Sequence, residues 1–332
     1  MNKMVSMRGA AFSLVVLAAL SSGAGAAPPA PEASAYPARP VRIIVPFAPG
    51  GPTDLMARLL GAKLTEMWGQ QVIVDNRPGA SGNIGIGLAA RAAADGHSLL
   101  LSAHAFVVNP SLHQKLAWHP LRDFIPVTNA ATAPNLLIAH PGLPAKTVAD
   151  LIALVKANPG KYNCGTPGSA TSSHLAMERL RLAAGIDLQH VPYAGAAPVV
   201  NAVVANQVPM AVVSQAGAAV QMVQAGRVRA LAATGARRSA LLPEVPTLRE
   251  SGLDFVAESM SGMFVPAGTP NAVVTRIHAD IVKVLQMPDV RARLAAAGFD
   301  PLGNSREEFA KFVKEEIVQW SRVIREAGIK PQ

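Results

Sequence analysis

A chain of 332 residues with 30 basic against 21 acidic side chains and a formal charge of +9 is long enough for two ordinary domains. Its basic residues are scattered, with only Arg237 and Arg238 adjacent, and aromatic residues make up 5% of the sequence; nucleic-acid binding needs a basic stripe or a stacking platform, and neither is visible. The one cysteine, Cys164, excludes an internal disulfide and a cysteine-built metal site, and reads as a small buried side chain.

Lys3 and Arg8 precede an apolar run from Ala10 to Leu20, which gives way to Ser21-Ser22-Gly23 and Ala24-Gly25-Ala26. The run is too short to cross a bilayer, which takes roughly 20 apolar residues, and it ends in a small-x-small cleavage pattern. Residues 1–26 therefore read as a secretory signal peptide and 27–38, rich in Pro and Ala, as a flexible leader. No later segment offers a long enough apolar run, so the exported chain is expected in the periplasm and not itself spanning the membrane.

Alternating elements follow: strand Val41 to Val45, helix Leu55 to Met67, strand Gln71 to Asp75, helix Ile84 to Ala94, strand Ser98 to Ser102. Strands rich in Val and Ile without polar alternation suit a parallel sheet covered on both faces, so the class is α/β. A second unit begins near Leu136, with a helix from Val148 to Asn158 and strands at Tyr162 to Cys164, Met210 to Val213 and Arg229 to Ala233. Leu137 to Val148 and Met263 to Val274 resemble each other as apolar strand, Pro/Gly turn and helix, which predicts two crossings between lobes. Helices are predicted at Ala272 to Leu285, Pro288 to Ala297 and Arg306 to Ala327. The last carries Phe309, Phe312, Val313, Ile317, Trp320 and Ile324 at helical spacing, a packing stripe.

Four segments rich in glycine or hydroxyls sit where strands give way to helices or turns. In Ala48-Pro49-Gly50-Gly51-Pro52-Thr53-Asp54 the glycines permit close backbone approach. Thr53 or Asp54 caps the helix, and the first-turn amides have no intrahelical partner. Asp54 either caps or meets a ligand amine. Asn76 to Gly85 has the same anion-facing geometry at Ser81 to Ile84, without dinucleotide spacing. Gly165 to Leu175 concentrates hydroxyls: Ser172 or Ser173 is expected to cap the helix with Glu178 as a capping-box acid. In the same segment Gly168, Ser169 and Thr171 face a ligand, and His174 is a structural donor without an evident acidic partner. His190 to Pro198 presents Tyr193 at a loop mouth, and Ser102 closes another strand. No G-x-S-x-G elbow, Walker A sequence or HExxH pair occurs, so neither a catalytic apparatus nor a cofactor is expected. The competing reading is a secreted hydrolase using Ser172 or Ser173 with His174.

The ordered set Pro46 to Asp54, Asn76 to Gly82, Gly165-Thr166-Pro167-Gly168 with Ser173-His174-Leu175, Val191 to Gly195 and Leu242 to Thr247 resembles the Bug family across the whole exported chain. These TctC-like proteins are the extracytoplasmic receptors of tripartite tricarboxylate transport systems. The resemblance implies a two-lobed periplasmic-binding fold (type II-like) with two crossing connections. It divides into lobe one at 39–134 plus 260–332 and lobe two at 135–259. It also implies a monomer closing on a small carboxylate, held by the loops matching Ala48 to Asp54 and Gly168 to Ser173, and a membrane permease or a sensor as partner. Departures from the family pattern are Ser169-Ala170-Thr171 for a frequent N-G-S, Ala194 for a frequent lysine and Val213 for a frequent acid.

Overall fold

The computed structural model describes residues 36–169, 171–215 and 218–329. The expected signal peptide and most of the expected leader lie outside the described residues. The leader ends earlier than the sequence suggests. Tyr36 is buried, its hydroxyl donates to Gly96 O at 2.7 Å, and its ring meets Trp68 and His97 edge-on.

β1 (Val41–Val45) is almost wholly buried and runs parallel to β2 (Val72–Asn76) on one side and β3 (Ser98–Ser102) on the other. α1 (Pro52–Trp68) connects the first pair. Proline at its first turn presets φ, and Gly69 ends it in the left-handed conformation. α2 (Asn83–Ala90) leads to β3, which passes into α3 (Ala105–Leu112). The sequence did not reveal α3, an apolar run interrupted by Pro110, whose missing N–H argues against a helix interior.

β4 (Phe124–Ala139) is far longer than the strand expected near Leu136. Its N-terminal part lies antiparallel to β9 (Glu258–Pro266); from Asn135 onward it lies antiparallel to β7 (Met210–Ser214) and β8 (Arg229–Ala233). Pro126 and Pro134 hide this strand from pattern reading. Proline cannot donate to a ladder, and here it sits beside a register irregularity and at the change of partner. β5 (Asn163–Thr166) and β6 (Gln189–Pro192) complete the order β2-β1-β3-β9-β4-β7-β5-β6, with β8 and β10 (Asp300–Pro301) pairing β4.

The chain thus repeats one plan. β1 lies between β2 and β3, and β5 lies between β6 and β7. In each half an antiparallel strand closes the set. α4 (Val148–Lys156), α5 (Ser172–Ala184), α6 (Ala196–Val204) and α7 (Ala218–Gln224) belong to the second half; the last two were not predicted. α8 (Asn271–Leu285) and α9 (Pro288–Ala296) match expectation closely. So does α10 (Arg306–Glu326), opened by a reciprocal cap between Ser305 and Glu308. Its stripe is core: Phe309, Val313, Trp320 and Ile324 are buried with Phe106 and Phe264, while Phe312 and Ile317 are half-buried against them. Each such large side chain stabilises the fold by about 1.5–3 kcal/mol. In parallel sheets of this plan the strand C-terminal ends mark where ligands bind.

Candidate functional site

The loop after β1 is built to leave amides open. Gly50 takes φ +83°, a conformation that disfavours side chains, and its N–H donates to Asp54 Oδ2 at 2.9 Å. Arg58 Nε donates to the same oxygen at 2.9 Å, and Asn76 Nδ2 donates to Phe47 O at 3.1 Å. The helix then starts at Gly51 with no side-chain cap, and Pro52 has no N–H to satisfy. The amides of Thr53 and Asp54 consequently make no hydrogen bond to another described residue. Asp54 is buried and turned into its own loop. Burial pushes its carboxyl up, but hydrogen bonds from Arg58, Gly50 and Asn76 outweigh that and hold it below its ordinary value.

After β2, Ser81 adopts a left-handed conformation at φ 57°, and its carbonyl accepts from Asn109 Nδ2 at 3.0 Å. After β3, His104 Nδ1 accepts from the Met260 N–H at 3.2 Å, which leaves the proton on Nε2, 3.2 Å from Glu316 Oε2. Burial raises the Glu316 carboxyl, but His104 chiefly, with Trp320 and Arg179, pulls it below its usual range.

The loop after β5 closes on itself. Thr171, not Ser172 or Ser173, is the cap of α5; its Oγ1 accepts from His174 N–H at 3.3 Å and donates to Gly168 O at 2.8 Å. Thr166 Oγ1 donates to the same carbonyl at 3.2 Å and lies 2.7 Å from His190 Nε2. His190 stacks on His174 with ring centroids 3.8 Å apart. The expected capping role of Glu178 is also corrected. It lies 3.6 Å from His174 Nε2 and accepts from Arg181 Nε at 2.8 Å, so His174 does have an acidic neighbour, one turn along its own helix. Ser173 Oγ donates to Asn135 Oδ1 at 2.8 Å, fastening the start of α5 to β4.

These loops enclose a cavity of about 420 Å³. Of the residues singled out by sequence, Gly51, Thr53, Ser169, Thr171 and Ser172 line it. Ala48, Pro49, Gly50, Asp54, Ser102, Gly168 and Tyr193 do not. Ala48, Pro49 and Gly50 are exposed. Ser102 is wholly buried and its hydroxyl has no partner among the described residues. Gly168 supplies the carbonyl that Thr166 and Thr171 share, and Tyr193 packs behind Gly165 with its N–H donating to Thr166 O at 2.9 Å.

Lining residues that sequence reasoning did not select include Phe47, Ser81, His104 and Asn109, with Ser259, Met260 and Ser261 on β9, Ser214 at the end of β7, and Phe299. The alternation Ser259-Met260-Ser261 was the available signal: two hydroxyls on one face of a strand. Thr53 and Ser261 are each more than nine-tenths buried, and neither hydroxyl bonds another described residue. A larger open groove of about 880 Å³ runs between α5 and α10, away from every one of these loops.

A family model described as "Tripartite tricarboxylate transporter family receptor" matches residues 56–329. Protein BugT of Bordetella pertussis is 35% identical over 320 residues, covering 96% of this chain and 98% of the relative. Among solved structures, an R. palustris protein with adipate superposes with TM-score 0.77 at 32% identity, covering 90% of this chain and all of that one. MatC from Rhodopseudomonas palustris, solved with bound malate, gives 0.72 at 33% identity, covering 87% of this chain and 100% of the other.

Proposed function

Because the chain belongs to the tripartite tricarboxylate transporter receptor family, the TctC or Bug-type solute receptors, we propose that it captures a small carboxylate in this cavity and hands it on chemically unchanged. The observation that carries the reading is the open start of α1. Two main-chain donors without partners stand at a cavity whose opposite wall supplies the hydroxyls of Ser169, Thr171 and Ser172. A helix N-terminus favours negative charge, and a carboxylate accepts several hydrogen bonds at once.

In this reading Gly51, Thr53 and Ser261 serve from one half, and Ser169, Thr171 and Ser172 from the other. Gly50, Gly168 and the side chain of Asp54 shape the loops rather than touch the ligand, to which Asp54 offers its main-chain amide alone. The two halves are lobes at 39–134 plus 260–332 and at 135–259, hinged where β4 and β9 pass between them, and ligand contacts to both favour closure. Residues 1–26 direct export, and the loaded receptor meets a membrane permease or a sensor. The hydrolase alternative loses support because Ser173 is committed to Asn135 and His174 to a stacked, buried pair.

Thermal melting of the exported chain tests the reading, after unfolding and refolding to strip retained ligand. A bound carboxylate raises the midpoint by mass action, while the matching alcohol or amide does not. No shift from any carboxylate, or turnover of one, overturns it.

A further inference from the structure

The start of α5 reaches the cavity, but what fixes it there lies further along the helix. Leu175, one turn in, is wholly buried in the cluster that α10 shares with Phe106 and Phe264. Arg179 follows four residues later on the same helix face, half-buried, with its guanidinium 5.1 Å from the centroid of the Phe255 ring. Its Nη1 donates to Val256 O at 2.6 Å, on the chain entering β9. The Gln319 amide of α10, with its oxygen toward the guanidinium, accepts from Nε at 3.1 Å and from Nη2 at 2.8 Å. Burial holds the guanidinium below its ordinary pKa, and the Glu316 carboxylate, also on α10, opposes this. One side chain thus joins α5, the approach to β9 and α10.

Arg179, Glu316 and Gln319 do not line the cavity. Ala133 and Ser259, partners across β4 and β9, do line it, while the adjoining Thr132 and Glu258 line a separate space of about 240 Å³ with Arg179, Glu316 and Gln319. Side chains alternate between the faces of a strand, so the guanidinium lies behind the strands that pass between the two halves. Glu316 links it forward, because the same carboxylate faces His104, which lines the cavity.

A charge is buried at a cost, and one whose partners stand on separate elements can set their register. Resting on the two-lobed receptor reading above, we propose that Arg179 is a positioning residue for ligand binding: it holds α5, and with it Thr171 and Ser172, in the arrangement where both walls face one cavity. It touches no ligand itself. Losing it frees the second half to swing away, and apparent affinity falls with the fraction of molecules that keep the binding arrangement.

Pulsed electron paramagnetic resonance between spin labels on Glu66→Cys in α1 and Lys156→Cys in α4 reads the separation of the halves. Both sites are exposed, and burial pushes the Cys164 thiol up to about 12, so it stays unlabelled. Calorimetry with adipate, hexanoate and benzoate reads affinity on the exported chain. Arg179→Met keeps the stem over Phe255 and removes the donors. Without any probe it should broaden the distance distribution relative to the parent, and any probe that the parent binds should bind roughly threefold or more weakly. Gln319→Met should do the same to a smaller degree, and it decides the matter if Arg179→Met does not fold. A side chain that only stabilised the fold would lower the melting midpoint and leave both readouts unmoved. Distance distributions that coincide, or a probe bound as tightly by the variants as by the parent, overturn the proposal. A parent that binds none of the three probes contradicts the receptor reading, and the unliganded distributions then decide the role of Arg179 alone.

Discussion

Gly51 concentrates the chemistry of the site in one absent side chain. Its backbone sits at φ −80° and ψ 171°, which any residue adopts, and a Cβ there meets nothing closer than Ala48 O at 3.6 Å. Glycine is therefore not needed for the turn, unlike Gly50 beside it. A capping side chain would fit, and its omission keeps the first-turn amides free. Gly51→Asp should cap α1 with its own carboxylate and repel a second one. The expected outcome is carboxylate affinity lowered by more than roughly tenfold, with folding stability within about 0.5 kcal/mol of the parent, since Asp and Gly differ little as caps. Gly51→Ser should lose less, because it fills the amides without adding charge. Titration and chemical denaturation read the two effects separately, and unimpaired binding by Gly51→Asp contradicts the assignment of the carboxylate to α1.

Asp54 illustrates what a single residue letter hides. From sequence it was either a cap or a partner for a ligand amine; in the fold it does neither in the usual sense. It reaches back to Gly50 and across to Arg58, so its charge holds the loop shut. Ser102 was chosen for standing at a strand end, yet side chains alternate along a strand, and its face points into packing.

The loop after β5 depends on an element-scale support, the chain of contacts from the stacked His174 and His190 through Thr166 to the carbonyl of Gly168. Burial, and then the neighbouring His174, push the His190 imidazole down to about 4 from the ordinary 6.5, with Glu178 opposing. Above pH 6.5 neither the folded nor the unfolded chain holds this proton, and the group is silent. Between 6.5 and about 4 the unfolded chain takes it up and the folded chain does not, so stability falls as pH drops through that window. Asp54, Glu178 and Glu316 shift the other way for their type. Each is held below its ordinary value, so its contribution is present above that value and is lost as pH falls through the folded one. His190→Gln retains a donor for Thr166 and should flatten the loss between pH 6.5 and 5 in melting curves. An unchanged slope rules out His190 as its source.

Elements with clean periodicity were legible. α1, α8 and α10 appear close to where apolar spacing and turn residues put them, as do β1 and β3. β4 was mostly invisible because alanine and two prolines erase the signature of a strand whose neighbours supply its burial. The start of α5 was misjudged by a residue because Thr171, Ser172 and Ser173 all suit a cap, and only the fold decides which side chain turns back to the helix. Glu178 stands too far along the chain from Ser172 and Ser173 for the three-residue spacing of a capping box, and its helical neighbours His174 and Arg181 hold it instead.

At the scale of the whole molecule, β4 and β9 organise everything else. They pair with each other, take different partners in the two halves, and place Ala133, Ser259, Met260 and Ser261 on the cavity wall. These residues were not found by looking at loops, because the seam between two sheets is a property of topology and has no local sequence signature. α10 returns from the end of the chain to pack on α3 and α5, and its Glu316 steadies His104 from behind the cavity. The matching connectors at Leu137 to Val148 and Met263 to Val274 predicted two crossings between lobes, and the family resemblance supplied the fold that they belong to.

The central claim is that a carboxylate sits at the start of α1, within reach of hydroxyls from the other half. Its most direct test is a crystal structure of the exported chain grown with hexanoate or benzoate. The account predicts carboxylate oxygens at hydrogen-bond distance from the amides of Thr53 and Asp54, with Ser169, Thr171 or Ser172 closing from the opposite wall and the apolar body toward Met260 and Phe299. A carboxylate seated elsewhere, in the groove between α5 and α10 for instance, or one bound with the α1 amides still unused, would contradict it.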